Sequence, residues 1–455
     1  MHSAAPATRA SFQSISRFGS NPATGRRTAS DGQRFGHGFT EIITATITVV
    51  RSLRLLYLGN GSTTAALSPF IAVILSSRGM DPSAIGLVTG VGACALIAAI
   101  AFWGHVGDRV LGRRATLQVC TVVAIAVAIG IGLPLPLAIL PPLTIAFACT
   151  QGSLLALTDA VVVSTLRNPG RDYGRIRMMG SISFGSISIL VGFVYDRLGY
   201  PIASVFYVGF ALLLILATFG IEPGADHVEG SATATTELAS PSEPAAHQLA
   251  NGRTGRFGSA GLAFRSQPQL IPVLATVALT WSAVVVSSGF FSLRMVALGG
   301  QPSDVALSFG VSAICEIPGM ILAARLASRI GLRGLFCLGT LGFAAAFLSW
   351  SVLTSPMAIV ATRTVTGLSF ACMTVAMVLT IGQLLPNHLQ ATGQALLQGT
   401  LSGIAALIGN VVGGLLYGGQ GPAVLFIVCA VTCVLGGAIA LVTLPDRVRL
   451  VEASR

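Results

Sequence analysis

The chain is 455 residues long, 53% hydrophobic and only 9% charged, with a mean hydropathy of +0.80. A soluble domain carries about a quarter charged residues, so this chain has too few polar groups to face water on every side, and a bilayer must cover part of it. The net charge of +11 does not point to nucleic acid, because the basic residues, all of them arginine, fall in the gaps between apolar segments, which is the pattern of membrane orientation.

Residues 1 to about 40 are rich in Ser, Gly, Arg and Ala and lack an apolar core. They read as a disordered tail, taken here as 1–50, with no evident secretory signal. The run Ile42 to Val50 is too short to span a bilayer. Spans of about 20 apolar residues are then predicted near 54–77, 84–104, 114–134, 137–162, 174–196 and 201–221. After a polar stretch at 222–265 with a linker composition, six more are predicted near 270–293, 304–326, 333–353, 356–382, 389–416 and 422–443. Residues 446–455 form a short polar tail.

Twelve spans leave both termini on one side. If that side is the cytoplasm, the outward loops hold only Arg78, Arg197 and Arg294, and the inward segments hold the other arginines near the spans, from Arg51 to Arg449. The expected location is therefore the cell's inner (plasma) membrane, crossed many times, with both termini inside. A shift of 220 residues places Gly104, Asp108 and Arg109 on Ala324, Ser328 and Arg329. A shift of 222 places Gly192, Tyr195 and Gly199 on Gly414, Tyr417 and Gly421. The expected fold is thus an all-α integral membrane protein, with bundles of six helices at 51–221 and 266–445 related by a pseudo-two-fold repeat.

The densest charge cluster between apolar segments is Gly104-His105-Val106-Gly107-Asp108-Arg109-Val110-Leu111-Gly112-Arg113-Arg114. It resembles the G-x-x-x-D-R-x-x-G-R-R signature after the second helix of major facilitator superfamily transporters. Tyr173-Gly174-Arg175-Ile176-Arg177, Gly180-Ser181-Ile182, Phe184 and Glu316-Ile317-Pro318 resemble one branch of that superfamily, the lactose-, nucleoside- and phenylpropionate-permease-like proton symporters. The resemblance covers nearly all of 54–445. It implies two bundles around a central cavity that opens alternately to each side. It also implies a role for Glu316 in proton coupling or substrate binding, a gate held by Asp108 against helix 11, and a pair between an arginine of the signature and an acid on helix 4, which Asp159 could supply. Members of the branch often carry a histidine before a glycine in helix 10; here the pair is Thr366-Gly367.

Charged groups inside a span are costly and mark function by default. Glu316 falls near the middle of the eighth span, where its carboxylate must be paired, hydrated or protonated, and it is the candidate proton-coupling residue. Arg363, seven residues into the tenth span, could pair with Glu316, bind a substrate anion, or snorkel to the surface. Asp159, near the inner end of the fourth span, lies within plausible reach of Arg113, Arg114, Arg175 and Arg177. With Gly104, Asp108, Arg109 and Gly112 these form the candidate gating set. Asn60, Gln151, Trp281, Gln398 and Asn410, with Arg363, are candidate cavity residues, although for each uncharged one a helix–helix hydrogen bond is an alternative. Gln394 belongs with them.

The eight cysteines all fall in apolar segments and read as small buried hydrophobes. There is no G-x-x-x-x-G-K-[ST] and no lysine to complete one, so no nucleotide is expected, and neither a cofactor nor a metal. The function expected is secondary active transport of a small organic solute, coupled to protons, by a monomer in the lipid bilayer. The alternatives are proton-antiport efflux of drugs or metabolites and a transporter-shaped sensor that does not translocate. An embedded enzyme lacks any His/Asp/Glu cluster at one depth.

Overall fold

The computed structural model describes residues 50–166, 169–221 and 256–445. The N-terminal tail, most of the inter-bundle linker, the C-terminal tail and Arg167 lie outside the described residues. Eleven described helices are long and apolar enough to cross a membrane. One of them, Pro302–Val352, is two spans in series, because Gly331 breaks it with φ 73 and ψ 175. The twelve spans are α1 (Val50–Ser77), α2 (Pro82–Arg109), α3 (Arg113–Gly132), α4 (Leu137–Thr165), α5 (Tyr173–Leu198) and α6 (Tyr200–Thr218), then α7 (Leu270–Ala297), α8 (302–330), α9 (332–352), α10 (Pro356–Leu384), α11 (His388–Gln420) and α12 (Pro422–Thr443). Every span expected from the sequence is present.

Two boundaries differ from expectation. The charge cluster after the second span is largely helical: α2 runs on through Arg109, and only Val110 to Gly112 turn the chain. A helix can carry polar residues past the bilayer edge, where water solvates them, so the end of hydropathy is not the end of the helix. The C-terminal part of the expected linker is also ordered, as a short helix over Arg256–Ser266.

The repeat is visible in the backbone. Among the described residues, six glycines have positive φ: Gly79, Gly112, Gly199, Gly299, Gly331 and Gly421. They form three pairs separated by 220, 219 and 222 residues, and each pair sits at equivalent helix junctions of the two halves. A left-handed backbone is cheap only for glycine, so these residues mark the same turns in each half. The arginines repeat with them. Arg114 at the start of α3 donates to the Ile221 carbonyl beyond α6 (2.7 Å), and Arg333 at the start of α9 donates to the Leu444 carbonyl beyond α12. Arg78 donates to carbonyls at the end of α3, and Arg294 to the Leu353 carbonyl at the end of α9. Helix C-termini leave orphan carbonyls with partial negative charge. Some of the loop arginines therefore cap helix ends.

The bundles meet along two seams. In one, α2 crosses α11. A Cβ on Gly414 would lie 2.9 Å from the Pro82 carbonyl oxygen and 2.8 Å from the Gly86 Cα, and one on Gly90 would meet the Val411 side chain at 2.9 Å. In the other, α5 crosses α8. A Cβ on Gly192 would lie 3.2 Å from the Pro302 carbonyl oxygen and 3.0 Å from the Ser303 Cα, beside Ala306. Pro82 and Gly86 shifted by 220 are Pro302 and Ala306, and Gly192 shifted by 222 is Gly414, so the seams are images of one another. Small residues let the backbones approach where no hydrophobic force drives helices together in lipid.

Both seams run from the membrane face that carries the α1–α2, α5–α6, α7–α8 and α11–α12 junctions to about mid-depth. Their last glycine-mediated contacts are Ile97 against Gly403, and Gly185 against Ala313 and Ile314. Toward the face that carries the α2–α3 turn, Gly104, Gly174 and Gly399 have nothing within 4 Å of a Cβ position. Among the described residues the bundles are thus closed on one face and apart at these glycines on the other.

A candidate substrate cavity and its gating elements

The α8–α10 crossing places the two intramembrane charges. Along α8, Ser308, Ser312 and Glu316 repeat every four residues and share one face. On α10, Arg363, Thr366 and Gly367 share the opposing face. Gly367 has no side chain to hold the helices apart: a Cβ there would lie 3.0 Å from that of Cys315 and would collide with the Ser312 backbone. Thr366 Oγ1 is 3.5 Å from Ser312 Oγ, and Arg363 Nε donates to the Ser308 carbonyl at 3.3 Å. Thr366, at the position where the resemblance leads one to expect a histidine, turns its hydroxyl toward α8.

Arg363 is buried, at 6% exposure, and does not snorkel. Its guanidinium carbon lies 4.8 Å from the Phe291 ring centre, 5.0 Å from that of Phe309 and 5.6 Å from that of Trp350. Desolvated cation–π contacts are worth up to about 2 kcal/mol each, so three rings hold the cation where water does not. Glu316 is the fifteenth residue of α8, roughly 21 Å along it at 1.5 Å per residue, near mid-membrane. It interacts electrostatically with Arg363 but makes no direct hydrogen bond or ion pair among the described residues. Pro318, two residues on, leaves the Ile314 carbonyl without its helical donor.

Both groups line one cavity of about 270 Å³. Trp281, Phe309, Phe343 and Phe370 supply its aromatic wall, Phe184 reaches it from α5, and Ser312 and Thr366 are its neutral polar members. The Trp281 and Phe370 rings lie 5.5 Å apart. The cavity sits just past the end of the α5–α8 seam, since Glu316 follows Ala313 and Ile314 by less than a turn.

Of the cavity candidates named from sequence, Trp281 and Arg363 therefore share a wall with Glu316. The others sit elsewhere. Gln151 is buried in the N-terminal bundle, donating to Thr64 Oγ1 at 2.8 Å and accepting from the Tyr207 hydroxyl at 2.6 Å, so it ties α4 to α1 and α6. Asn60 is buried, with its amide nitrogen unpartnered among the described residues. Asn410 is buried at the α2–α11 crossing, its carbonyl against Gly86. Gln398 is exposed on α11, and Gln394 donates to the Val378 carbonyl of α10. The cage residues Phe291 and Trp350 carry no sequence signal, because an aromatic in an apolar span looks like any packing residue.

The gating candidates pair differently from the resemblance. Arg113 is 3.4 Å from Asp108, which is 59% exposed. Arg114 lies over the Phe219 ring and caps α6. Asp159 instead takes Arg177 at 3.4 Å and the Tyr57 hydroxyl, linking α4, α5 and α1 inside one bundle. Arg177 also donates to the Tyr173 hydroxyl at 2.6 Å. Arg175 is exposed, Gly104 is open, and Arg109 closes α2. All eight cysteines are free thiols; Cys94 is exposed, and Cys120, Cys372, Cys429 and Cys433 are buried.

Two six-helix bundles, related by a repeat and joined along α2–α11 and α5–α8, are the architecture of a multi-pass membrane transporter of the major facilitator superfamily. The chain belongs to the MFS_1-like family, whose model matches residues 50–428. It is 26% identical over 385 residues to the maltose permease of Geobacillus stearothermophilus, covering 84% of this chain and 91% of that one. The crystal structure of the nucleoside transporter NupG superposes with a TM-score of 0.68 at 15% identity, covering 87% of this chain and 98% of that one. The inward-facing, unoccupied structure of a bacterial homolog of the human lysosomal transporter Spinster superposes with a TM-score of 0.65 at 13% identity, covering 87% and 96%.

Proposed function

We propose that the chain is a secondary active transporter that moves a small organic solute by alternating access, with Glu316 as the proton-coupling group. One observation carries this reading: a carboxyl at mid-membrane, without a direct partner among the described residues, faces a caged cation across a cavity at the end of a closed seam. A carboxyl in that place is ionised when water reaches it and protonated when water is excluded, so alternation of the cavity carries a proton with it. The bundles at 51–221 and 266–445 are the moving bodies. The arginine asymmetry supports a cytoplasmic location for both termini and for the α2–α3 turn, which makes the present conformer inward-facing in an inner membrane. The protein acts as a monomer, without a cofactor.

The relative named as maltose permease supports a small organic solute. Proton-antiport efflux is the second reading. It is favoured by the aromatic lining and by the commitment of Gln151 to helix–helix bonds, which withdraws one polar group from the cavity.

Proteoliposomes with a trapped pH dye, offered pools of sugars, nucleosides, aromatic acids and cationic drugs, separate the two. Lumenal acidification by one pool, absent in Glu316→Gln, is the expected result. Alkalinisation would transfer the case to antiport. Uphill accumulation that survives in Glu316→Gln would remove this residue as the proton carrier.

A further inference from the structure

The signature after the second span has a second copy on the other face of the membrane. A shift of 88 residues places Gly104, Asp108 and Arg109 on Gly192, Asp196 and Arg197, and a glycine follows each motif, Gly112 and Gly199. Both glycines have positive φ. The copies end α2 and α5, the middle helices of the two triplets in the N-terminal half. Because α2 and α5 run in opposite directions, the copies lie at opposite faces, as nested inverted repeats require.

The two copies are in different states. At the end of α5, Gly192 packs on the first turn of α8, and Asp196 Oδ1 accepts the Ser303 backbone N–H at 2.8 Å. At the end of α2, Gly104 meets nothing within 4 Å, and Asp108 is exposed beside Arg113. The pseudo-symmetric helix start shows that the α5 contact is not generic capping. Ser83, the image of Ser303, is capped by Asp81 of its own helix at 2.9 Å, leaving nothing for the other bundle to supply. At α8 the helix's own acid, Asp304, accepts from the Gln301 N–H at 2.8 Å, and the Ser303 N–H is satisfied across the bundle boundary. A carboxylate there satisfies an orphan donor and the positive end of the helix at once.

We propose that Asp196 is a latch that holds the bundles together on the face opposite the α2–α3 turn, and that it must release Ser303 for the cavity to open there. This rests on the alternating-access reading, but not on proton coupling or on any solute. Asp196 is a positioning residue: it acts on which conformer is populated and does not touch the substrate.

Inter-bundle distances on the latched face provide the test. Nitroxides carried by a non-natural amino acid at Leu133 and Val352, both exposed helix ends on that face, leave the native cysteines in place. Pulsed dipolar spectroscopy of the full chain in nanodiscs, without solute or gradient, reads the populations. Asp196→Ala removes the acceptor. Ser303→Pro removes the donor, at a first-turn position where proline is tolerated. Each is expected to raise the long-distance population about tenfold, the weight of one charge-assisted hydrogen bond, and the double variant to add nothing further. Distributions that match the parent in both single variants overturn the latch. So does a shift in Asp196→Ala alone, or full additivity in the double variant, since either shows that the two groups do not act through this bond. If Asp196→Ala does not yield folded protein, the Ser303→Pro distribution decides the matter. Loss of proton coupling in Glu316→Gln would leave these distances as they are, so the two readings fail separately.

Discussion

Arg363 lies in the tenth span, and its surroundings explain how a guanidinium is tolerated there. Three aromatic rings and one main-chain carbonyl replace its hydration, and Glu316 offsets its charge across the cavity. Removing one of two charges that offset each other across a buried cavity leaves the other uncompensated. Arg363→Gln is therefore expected to lower the unfolding temperature and to leave Glu316 uncompensated. Adding Glu316→Gln should recover part of that loss. Thermal unfolding of both variants in detergent checks this, and a double variant no more stable than Arg363→Gln would show that the charges do not sense one another. Transport by Arg363→Lys, which keeps the charge but loses the planar stacking surface, should fall well below that of the native chain.

The helices are positioned by glycines whose spacing the repeat preserves. At the α2–α11 crossing, Gly86 and Gly414 lie so close that either Cβ would meet the other residue's Cα within 3 Å. Gly414→Val should wedge this seam, populate the conformer open on that face and slow turnover. The predicted sign is specific: solvent access to cysteine probes on the outer half of α2 should rise. Unchanged access, with the protein folded, would mean that the seam yields without parting. Further along, α11 relaxes into a π turn over Thr400–Ala405, where Gly403 meets Ile97 and the seam ends. Such bulges recur at functional sites and at bends, and this one lies between the closed and the separated parts of α2 and α11.

The whole molecule is a pair of near-copies that differ in where their charges lie. Both halves share the turn glycines, the arginine caps and the seam contacts. The cavity's charges belong to the C-terminal half alone, while the carboxylates of both gate motifs, Asp108 and Asp196, belong to the N-terminal half. In the C-terminal half the image of Asp108 is Ser328 and the image of Asp196 is Gly418. One half therefore carries the proposed latches and the other the proposed coupling site. Variants of Asp108 and Asp196 should accordingly alter rate and conformer balance more than solute affinity, and equilibrium binding measured beside turnover tests that division. Affinity falling alone would place the gate carboxylates at the solute instead.

Twelve spans and the two halves were legible along one dimension, because a bilayer imposes a length and an apolarity on each segment independently of the others. Glu316 and Arg363 stood out for the same reason: a charge in a span is costly wherever its neighbours lie. Convergence was not legible. Gln151 and Trp281 look alike as isolated polar or aromatic residues in apolar runs, yet one is spent inside the N-terminal bundle and the other lines the cavity. Asp159 had several arginines in plausible reach, and packing of α4 on α5 gave it Arg177. Which residues meet depends on where helices cross, and the crossings follow from close contacts between small residues far apart in sequence. The state of the molecule is of the same kind. Glycines 104 and 192 have the same motif around them, and tertiary contact alone distinguishes the seated copy from the open one.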